Sequence, residues 1–498
     1  MSASGEQADL RLYTLGEKSQ RTGMFGLPLR ATIIAGIAFI AAMLVLMQGG
    51  LGAGALIAVL AVAYLAPAVL RIGNRTLYEV AQMRWQFWRA QAAGSTVYRS
   101  GPNSRVPGGR YRLPGALAKT ELHVGRDVAG NDFALIRDRA LNQYTVLLDA
   151  ASRGQEPLTV ADRNDMTAEW GAWLAELSLN DDVVAATVTV ESYPTTGQDL
   201  IAAVKDSVSE STPEIARRIQ AESAVEFARG KLVTRSWIAV TFKAATAMQR
   251  KDPEAMATDL GFRLPGLYQR LEYAGVSATP MNPEDTIGLA LRCYRPDLEE
   301  TINSARLSGE PLGVDWDDAG PAEAVAKWNH YRHEDWVSRS FEMAAPPAAA
   351  FPDHVLRPLL EPKSDIPRKR VTLIYRPIAA GDGVRQVEKE HTDAVNAANK
   401  TRSIGKASAG LRLERTEAAR QALARGGQLG EYSLLVTLTL RNPELLDQGS
   451  AIIGQLGNRS QLRLHATNGQ QDAAFAAALG LGVLLDQKST ISSFAKAE

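Results

Sequence analysis

The feature of this sequence that most constrains its fold is a pair of long apolar runs near the N-terminus. They occupy residues 29–47 and 51–70, and no charged residue lies between Arg30 and Arg71. Each run is close to the roughly 20 residues that an α-helix needs to cross about 30 Å of hydrocarbon. The runs therefore predict a two-helix transmembrane hairpin over residues 29–70.

Two other interpretations of these runs stay open. A cleavable signal peptide has an apolar core of only about 7–15 residues that lies nearer the first methionine, so it fits less well. A buried helical hairpin in a soluble core is the second alternative. The flanks of the runs are basic and their connection is not, which by the positive-inside rule predicts a two-pass protein of the cell membrane with both termini in the cytoplasm.

A basic and aromatic segment follows the second run. Residues 71–112 hold eight arginines against one acid, Glu79, mixed with tyrosine, tryptophan and phenylalanine. Arginine at lipid headgroups and aromatic rings at the interface favour a segment that lies under the inner leaflet, and a DNA site is the weaker alternative. The predicted membrane-interface residues are Arg71, Arg75, Arg84, Trp85, Trp88 and Arg89.

Composition bounds the rest of the chain. With 498 residues, more than 400 remain for folded cytoplasmic structure, and 55 basic residues balance 55 acidic ones, so nothing global indicates a nucleic-acid binder. The single cysteine, Cys293, permits no intramolecular disulfide. The predicted segments are a tail (1–28), the hairpin (29–70), a juxtamembrane segment and linker (71–108), an α+β domain (109–281), a proline-rich connector (282–369) and a second α+β domain (370–498).

Strand and helix patterns alternate within both predicted domains. Residues 143–149, 183–190 and 232–241 read as strands in the first, with helical spacing at 159–179, 199–229 and 253–274 between and after them. Residues 370–377, 432–440 and 461–465 read as strands in the second. The predicted fold class is α+β, with α/β sandwich domains after the hairpin and a ferredoxin-like domain last.

Motifs for catalysis are weak. No phosphate-binding loop occurs, and the Gly-Lys pair at Gly230 lacks the required hydroxyl residue and preceding glycine. His330 and His333 stand beside Glu334 and Asp335, and on a helix they would share one face as metal ligands, but a polar helix surface is the simpler interpretation. We therefore predict no enzyme activity, no catalytic residue, no metal and no cofactor.

Motifs near the C-terminal end support a family resemblance. They are Ala418–Gly427 followed by Tyr432–Thr439, then Leu462–Leu464, Gly469–Phe475 and Leu479–Gly482. This region resembles the N-terminal, non-nucleotide region of the assembly ATPases of type IV secretion systems, except that Gly480 stands where that family has a proline. The apolar hairpin is similar to the PrgI-type inner-membrane subunit, and the whole resembles an actinobacterial family of conjugation-associated integral membrane proteins.

The resemblance implies a non-catalytic inner-membrane scaffold of a conjugative type IV secretion machine. Its expected partners are the lipid bilayer and separate ATPase and channel subunits, in an oligomeric assembly without direct nucleic-acid contact. A structural component of a type VII-like secretion system is an open alternative. A membrane-tethered metalloenzyme that uses His330 and His333 is a less favoured one.

Overall fold

A computed structural model describes most of the chain beyond residue 71. It covers residues 71–72, 75–101, 104, 111–152, 158–209, 212–228, 230–345, 351–352, 354–400, 406–424 and 426–488, together with Ile37, Ile40, Met43 and Leu44. The chain divides into two compact units. The larger one contains Val97–Gln487, and therefore most of the described residues.

In the described part of the smaller unit, the helix that follows residue 76 has a well-formed start. Strands β1 (Arg71–Ile72) and β2 (Arg75–Thr76) pair antiparallel, and helix α1 (Leu77–Ala92) follows directly. The Thr76 hydroxyl accepts from the Glu79 backbone N–H, and the Glu79 carboxylate accepts from the Thr76 backbone N–H. This capping box satisfies two of the donors that a helix start leaves without partners.

The larger unit is built on one antiparallel sheet of thirteen strands. The strands are β3 (Val97–Arg99), β4 (Thr120–Arg126), β5 (Asp132–Asp138), β6 (Gln143–Ser152), β7 (Val183–Pro194), β8 (Leu232–Lys243), β9 (Val276–Pro280), β10 (Glu323–Ala326), β11 (Tyr331–His333), β12 (Trp336–Ala345), β13 (Arg368–Pro377), β14 (Gly430–Leu440) and β15 (Arg463–Ala466). Their main order is β3-β10-β11-β12-β14-β13-β7-β8-β6-β5-β4, with β15 beside β12 and β9 beside β6.

Helices lie between and after these strands along the chain. The helices are α2 (Val160–Leu179), α3 (Gln198–Ser207), α4 (Glu214–Ala228), α5 (Ala247–Lys251), α6 (Pro253–Leu271), α7 (Pro283–Tyr294), α8 (Glu299–Ser308), α9 (Arg357–Leu360), α10 (Ala380–Lys400), α11 (Lys406–Ala424), α12 (Leu446–Arg459), α13 (Gln471–Ala478) and α14 (Leu485–Lys488).

The larger unit is a duplicated ferredoxin-like fold. Counted along the chain, β6, β7, β8 and β9 lie in the order 2-3-1-4, and β12, β13, β14 and β15 repeat that order. Each set alternates with helices as strand-helix-strand-strand-helix-strand, and each carries an extra helical pair between its second and third strands, α3–α4 in one half and α10–α11 in the other. The halves join where β7 pairs antiparallel with β13.

The strand register defines which residues are equivalent in the two halves. Val188 lies opposite Ile238, which lies opposite Leu148; in the second half, Val371 lies opposite Val436, which lies opposite Phe341. Leu148 lies opposite Pro280, the last residue of β9, and Phe341 lies opposite Ala466, the last residue of β15. Val188 and Val371 are therefore equivalent, and the next residues along each strand are Thr189 and Thr372. These two threonines face each other across the β7–β13 seam, so the pseudo-two-fold axis passes between them.

Apolar layers cover both faces of the sheet. One face packs against α2 and α6 in the first half and against α9 and α12 in the second. The other face packs against α7, α13 and the segment Leu479–Leu484, around Trp237, Tyr294 and Phe475. Because side chains alternate along a strand, the second face also receives Thr187, Thr189 and Glu191 of β7, all of which are buried.

The predicted fold class requires a correction at the N-terminus. The structure shows an α+β protein with one large antiparallel sheet, and in the part of the chain that it describes no helix is long and apolar enough to cross a bilayer. The predicted transmembrane hairpin is therefore wrong as an element of this fold. It rested on apolar run length alone, whereas a span requires a continuous helix; apart from Ile37, Ile40, Met43 and Leu44, residues 29–70 lie outside the described residues.

The predicted sandwich domains also share one sheet. Strand β7 from residues 109–281 pairs with β13 from residues 370–498. The segment predicted as a proline-rich connector, residues 282–369, supplies β10, β11 and β12. The first strand of the second ferredoxin-like half is thus β12, which precedes the predicted domain start at residue 370.

Candidate functional site

The predicted interface residues occupy α1 and the two short strands before it. Trp85 and Trp88 are 55% and 65% exposed, and Tyr78 is exposed seven residues before Trp85. At helical spacing these three rings follow one stripe of α1. The Arg89 guanidinium lies 4.8 Å from the centre of the Trp85 ring, and Arg84 is also exposed on the helix.

Arg71 and Arg75 lie in the strands before α1. Arg71 is opposite Thr76 and Ile72 is opposite Arg75 in the β1–β2 pair. The structure thus places two of the six predicted residues on the paired strands β1 and β2 and four on α1.

The two candidate metal ligands are not on a helix. His333 ends β11, is fully buried, and its Nδ1 lies 2.6 Å from the Tyr294 carbonyl oxygen while its Nε2 lies 2.8 Å from the Ser338 hydroxyl. Burial lowers the pKa of His333 to about 4, so the neutral ring donates from Nδ1 and accepts at Nε2. The Asn329 amide oxygen lies 2.9 Å from Nδ1 of His330. Among the described residues no group of three or more histidine, cysteine or acidic side chains is placed to hold a metal.

A buried ionic network crosses the seam between the halves. Glu191 on β7 accepts from Arg370 Nη2 at 3.0 Å and from Arg368 Nη1 at 3.3 Å, both on β13. Burial by itself would raise the pKa of Glu191, but the arginines of β13 and Arg235 on β8 outweigh it and lower that pKa to about 2.

A second carboxylate completes this network. Glu299, at the start of α8, accepts from Arg368 Nη2 at 2.9 Å and from Arg292 Nη1 at 3.3 Å, and it also pairs with Arg235. The Arg235 guanidinium stacks 3.8 Å from the centre of the Tyr193 ring. Two buried carboxylates thus hold four guanidinium groups between the sheet and the helices α7 and α8.

A polar pocket of about 190 Å³ opens beside this network. Three carboxylates and three guanidinium groups line it, so its charges balance; they belong to Asp149, Asp199, Asp285, Arg235, Arg292 and Arg306. Burial raises the pKa of Asp149 and of Asp285. Arg306 pairs with Asp199. The arrangement is one in which opposite charges neutralise each other, and it offers no hydroxyl or thiol nucleophile paired with a general base.

Cys293 lies under the same sheet face and is inert as a nucleophile. It is 1% exposed, and burial raises the pKa of its thiol to about 12. Since the thiolate is the reactive form, this cysteine is unreactive at neutral pH and contributes only to the packing of the core.

Exposed apolar side chains occur on both helices of the pair α3–α4, which sequence reasoning interpreted as one helix over residues 199–229. Ile215, Ile219 and Phe227 on α4 are 73%, 58% and 59% exposed, and Leu200 and Ile201 on α3 are 42% and 39% exposed. The residues of α4 recur at multiples of four, which places them on one side of the helix. That spacing is visible in the sequence and was the signal available for finding this surface.

A family model matches the N-terminal part of the chain. Residues 20–79 match the model of a family described as a domain of unknown function, DUF8461. This stretch includes β1, β2 and the first turn of α1. No curated protein matches the sequence.

Proposed function

We propose that this protein is a non-catalytic scaffold subunit of a type IV secretion machine, which docks a separate ATPase or channel subunit. The observation that carries the docking role is the row of exposed apolar side chains on α4, namely Ile215, Ile219 and Phe227. Large apolar side chains gathered on one exposed surface mark protein-interaction sites in soluble domains, whereas single exposed ones do not. The type IV setting rests on the resemblance of residues 418–482 to the non-nucleotide region of the assembly ATPases.

The buried charged groups support a structural role in preference to catalysis. Each carboxylate of the network accepts from at least two guanidinium groups, and His333, which was considered and disfavoured as a metal ligand, is held between a carbonyl and a hydroxyl. Groups held in this way rigidify a core. A rigid, pseudo-symmetric sheet is a suitable base for presenting α3–α4 to a partner.

The test is co-purification from the native host in mild detergent. The double variant Ile215→Asp and Ile219→Asp should reduce recovery of the ATPase or channel subunit at least about tenfold, because charged groups replace apolar anchors at the contact. Gln220→Asp, an exposed position on the same helix, is the matched control and should leave recovery unchanged.

Three results would count against this proposal. The first is an unchanged set of partners with the double variant. The second is a type VII component, in place of a type IV one, co-purifying with the wild type and lost with the double variant. The third is phosphate release or metal-dependent turnover by the purified protein, provided that substitution of a single buried residue abolishes this activity.

We also propose that α1 contacts an anionic lipid surface without crossing it. The exposed stripe of Tyr78, Trp85 and Trp88, with Arg84 and Arg89 beside it, has the aromatic and basic composition of interfacial helices. Replacing both tryptophans by alanine should weaken binding of the full chain to vesicles containing phosphatidylserine at least about fivefold. Gln91→Ala is the control on the same helix, and equal binding of the double variant would overturn the proposal.

A further inference from the structure

The polar pocket beside the ionic network has walls from both the sheet and the helices. On the sheet, Asp149 of β6 stands directly opposite Trp237 of β8 and Thr279 of β9, so these three side chains form one row on the same face. On α7, Asp285 and Leu289 are four residues apart and share one side of the helix. The pocket therefore lies between this row and α7, and α3 and α8 complete its wall.

The lining of the pocket changes from apolar to charged towards solvent. Trp237, Met281 and Leu289 line it and are buried, so they lie at its inner end. The side chains of Asp199 on α3 and Arg306 on α8 are each about half exposed, so they lie at its mouth. A ligand that fits this order has an apolar part and a charged end.

The guanidinium groups of the pocket differ in how fully they are engaged. Arg235 and Arg292 both pair with Glu299, which belongs to the buried network. Arg306 pairs with Asp199 at the mouth through its Nη2 atom. Because a guanidinium has five N–H donors, Arg306 keeps donors for a carboxylate of a ligand.

Two carboxylates of the pocket have no cationic partner within the described part of the chain. Neither Asp149 nor Asp285 makes an ion pair there, whereas Asp199 does. Partial burial raises the pKa of both carboxyl groups, and the charge of Asp149 raises the pKa of Asp285 further. The two carboxylates are thus close enough to repel each other, and an ammonium group between them would relieve this repulsion.

Charge and size limit the ligand. Three carboxylates and three guanidinium groups line the pocket, so a ligand with a net charge would leave that charge uncompensated in a partly buried site, whereas a zwitterion would not. The volume of about 190 Å³ is below the roughly 300–1,000 Å³ of sites for drug-sized ligands, so it is too small for a nucleotide. A small zwitterion with an apolar side chain meets both limits.

We propose that this pocket binds a free α-amino acid with an apolar side chain. The ammonium group lies between Asp149 and Asp285, and the carboxylate accepts from Arg306. The apolar side chain packs against Trp237 and Leu289 at the inner end. This site is independent of the docking surface on α4, because no residue of that helix lines the pocket.

The test is isothermal titration calorimetry of the purified full-length protein at pH 7. L-leucine should bind with a dissociation constant of about 1 mM or below. N-acetyl-leucine lacks the ammonium group, leucinamide lacks the carboxylate and glycine lacks the apolar side chain. Each of these three compounds should therefore bind at least about tenfold more weakly than L-leucine.

A substitution in the pocket tests the position of the ammonium group. Asp285→Asn should raise the dissociation constant for L-leucine at least about tenfold, because it removes one of the two carboxylates that face this group. Glu300→Gln, at an exposed acidic position of α8 outside the pocket, is the matched control and should leave the constant unchanged. Thermal unfolding checks that each variant is folded, and Asp149→Asn replaces Asp285→Asn if the latter is not.

Three results would overturn the proposal. The first is no binding of L-leucine, L-valine or L-phenylalanine at about 10 mM. The second is equal binding of L-leucine and leucinamide, which would show that the pocket selects a cation, or equal binding of L-leucine and N-acetyl-leucine, which would show that it selects an anion. The third is an unchanged dissociation constant in the folded aspartate variant.

Discussion

The Thr189 hydroxyl donates a hydrogen bond to the Thr372 hydroxyl over 3.3 Å, and these two residues occupy equivalent positions of the two halves. Two identical hydroxyls on a two-fold axis cannot both donate to each other, so their environments must differ. Thr372 donates to the Ala478 carbonyl at 2.8 Å, whereas Thr189 lies beside Gly480. The segment after α13 therefore breaks the symmetry of the seam and sets the direction of this hydrogen bond.

Thr372→Val should destabilise the protein by about 1–3 kcal/mol, because the Ala478 carbonyl and the Thr189 hydroxyl both lose a buried partner. Urea unfolding followed by tryptophan fluorescence measures this change. Thr372→Ser keeps the hydroxyl and should recover most of the loss. Equal stability of the valine variant and the wild type would contradict a stabilising role for this hydroxyl.

Glu191→Gln should cost about 3–5 kcal/mol of unfolding free energy. The carboxylate is fully buried and balances arginines on two strands, so its removal leaves buried positive charge without compensation. Glu214→Gln is the matched control, since its exposed pair with Arg218 contributes little and should change stability by less than about 0.5 kcal/mol. Denaturant midpoints of the two variants, compared at pH 7, provide the measurement.

The pH dependence of stability should show a histidine step. His333 is buried in its neutral form with a pKa of about 4, whereas the unfolded chain binds this proton near pH 6.5. Its contribution is therefore complete above about pH 6.5 and is lost as the pH falls towards 4, by about 3 kcal/mol in total. His333→Gln should flatten the unfolding free energy across this window, and a slope equal to that of the wild type would contradict this assignment.

Gly482→Ala should destabilise the fold by about 2 kcal/mol or more. Its φ of +83° is in the left-handed region, and an added Cβ would lie 2.0 Å from the Thr145 hydroxyl oxygen. Gly454→Ala, inside α12 with no atom near the added Cβ, should be neutral or stabilising by up to about 1 kcal/mol. Thermal unfolding measures the stability of both variants. Equal stability of the two would show that the segment after α13 can move away from Thr145.

The long strands at the centre of the sheet were predictable from sequence. Residues 183–190, 232–241, 370–377 and 432–440 alternate or are rich in β-branched residues, and they form β7, β8, β13 and β14. These strands have an apolar layer on at least one face, which preserves the alternating pattern. Their pairing across the seam depends on contacts about 180 residues apart, which no local pattern encodes.

Strand β12 was missed for a physical reason. Its residues Ser338 and Ser340 are buried, and they hydrogen-bond to Thr439 and Thr437 on β14 at 2.8 and 2.9 Å. A strand whose inward side chains are serines does not read as apolar, so the segment was interpreted as a connector. The ionic network was missed in the same way, because charged residues such as Arg370 and Glu191 signal exposure when they are considered singly.

Composition grouped the six predicted membrane-interface residues, and the structure places them on β1, β2 and α1, but their role as an interface stays a prediction. Apolar run length indicated a membrane hairpin, and the described structure contains no helix that meets the requirement for a span. The row of apolar residues on α4 is a different case. Its spacing is visible in the sequence, but only the structure shows that these side chains are exposed and not part of the core.

The position of Leu479–Leu484 has a consequence for how this chain is made. The Leu479 carbonyl accepts from the indole N–H of Trp237, and 242 residues separate the two. During translation, the amino-terminal ferredoxin-like half leaves the ribosome before the segment Leu479–Leu484, which packs on the apolar sheet face around Trp237. This sheet face stays uncovered by that segment until the end of the second half has been synthesised. Chaperone contact at this stage would protect the exposed face.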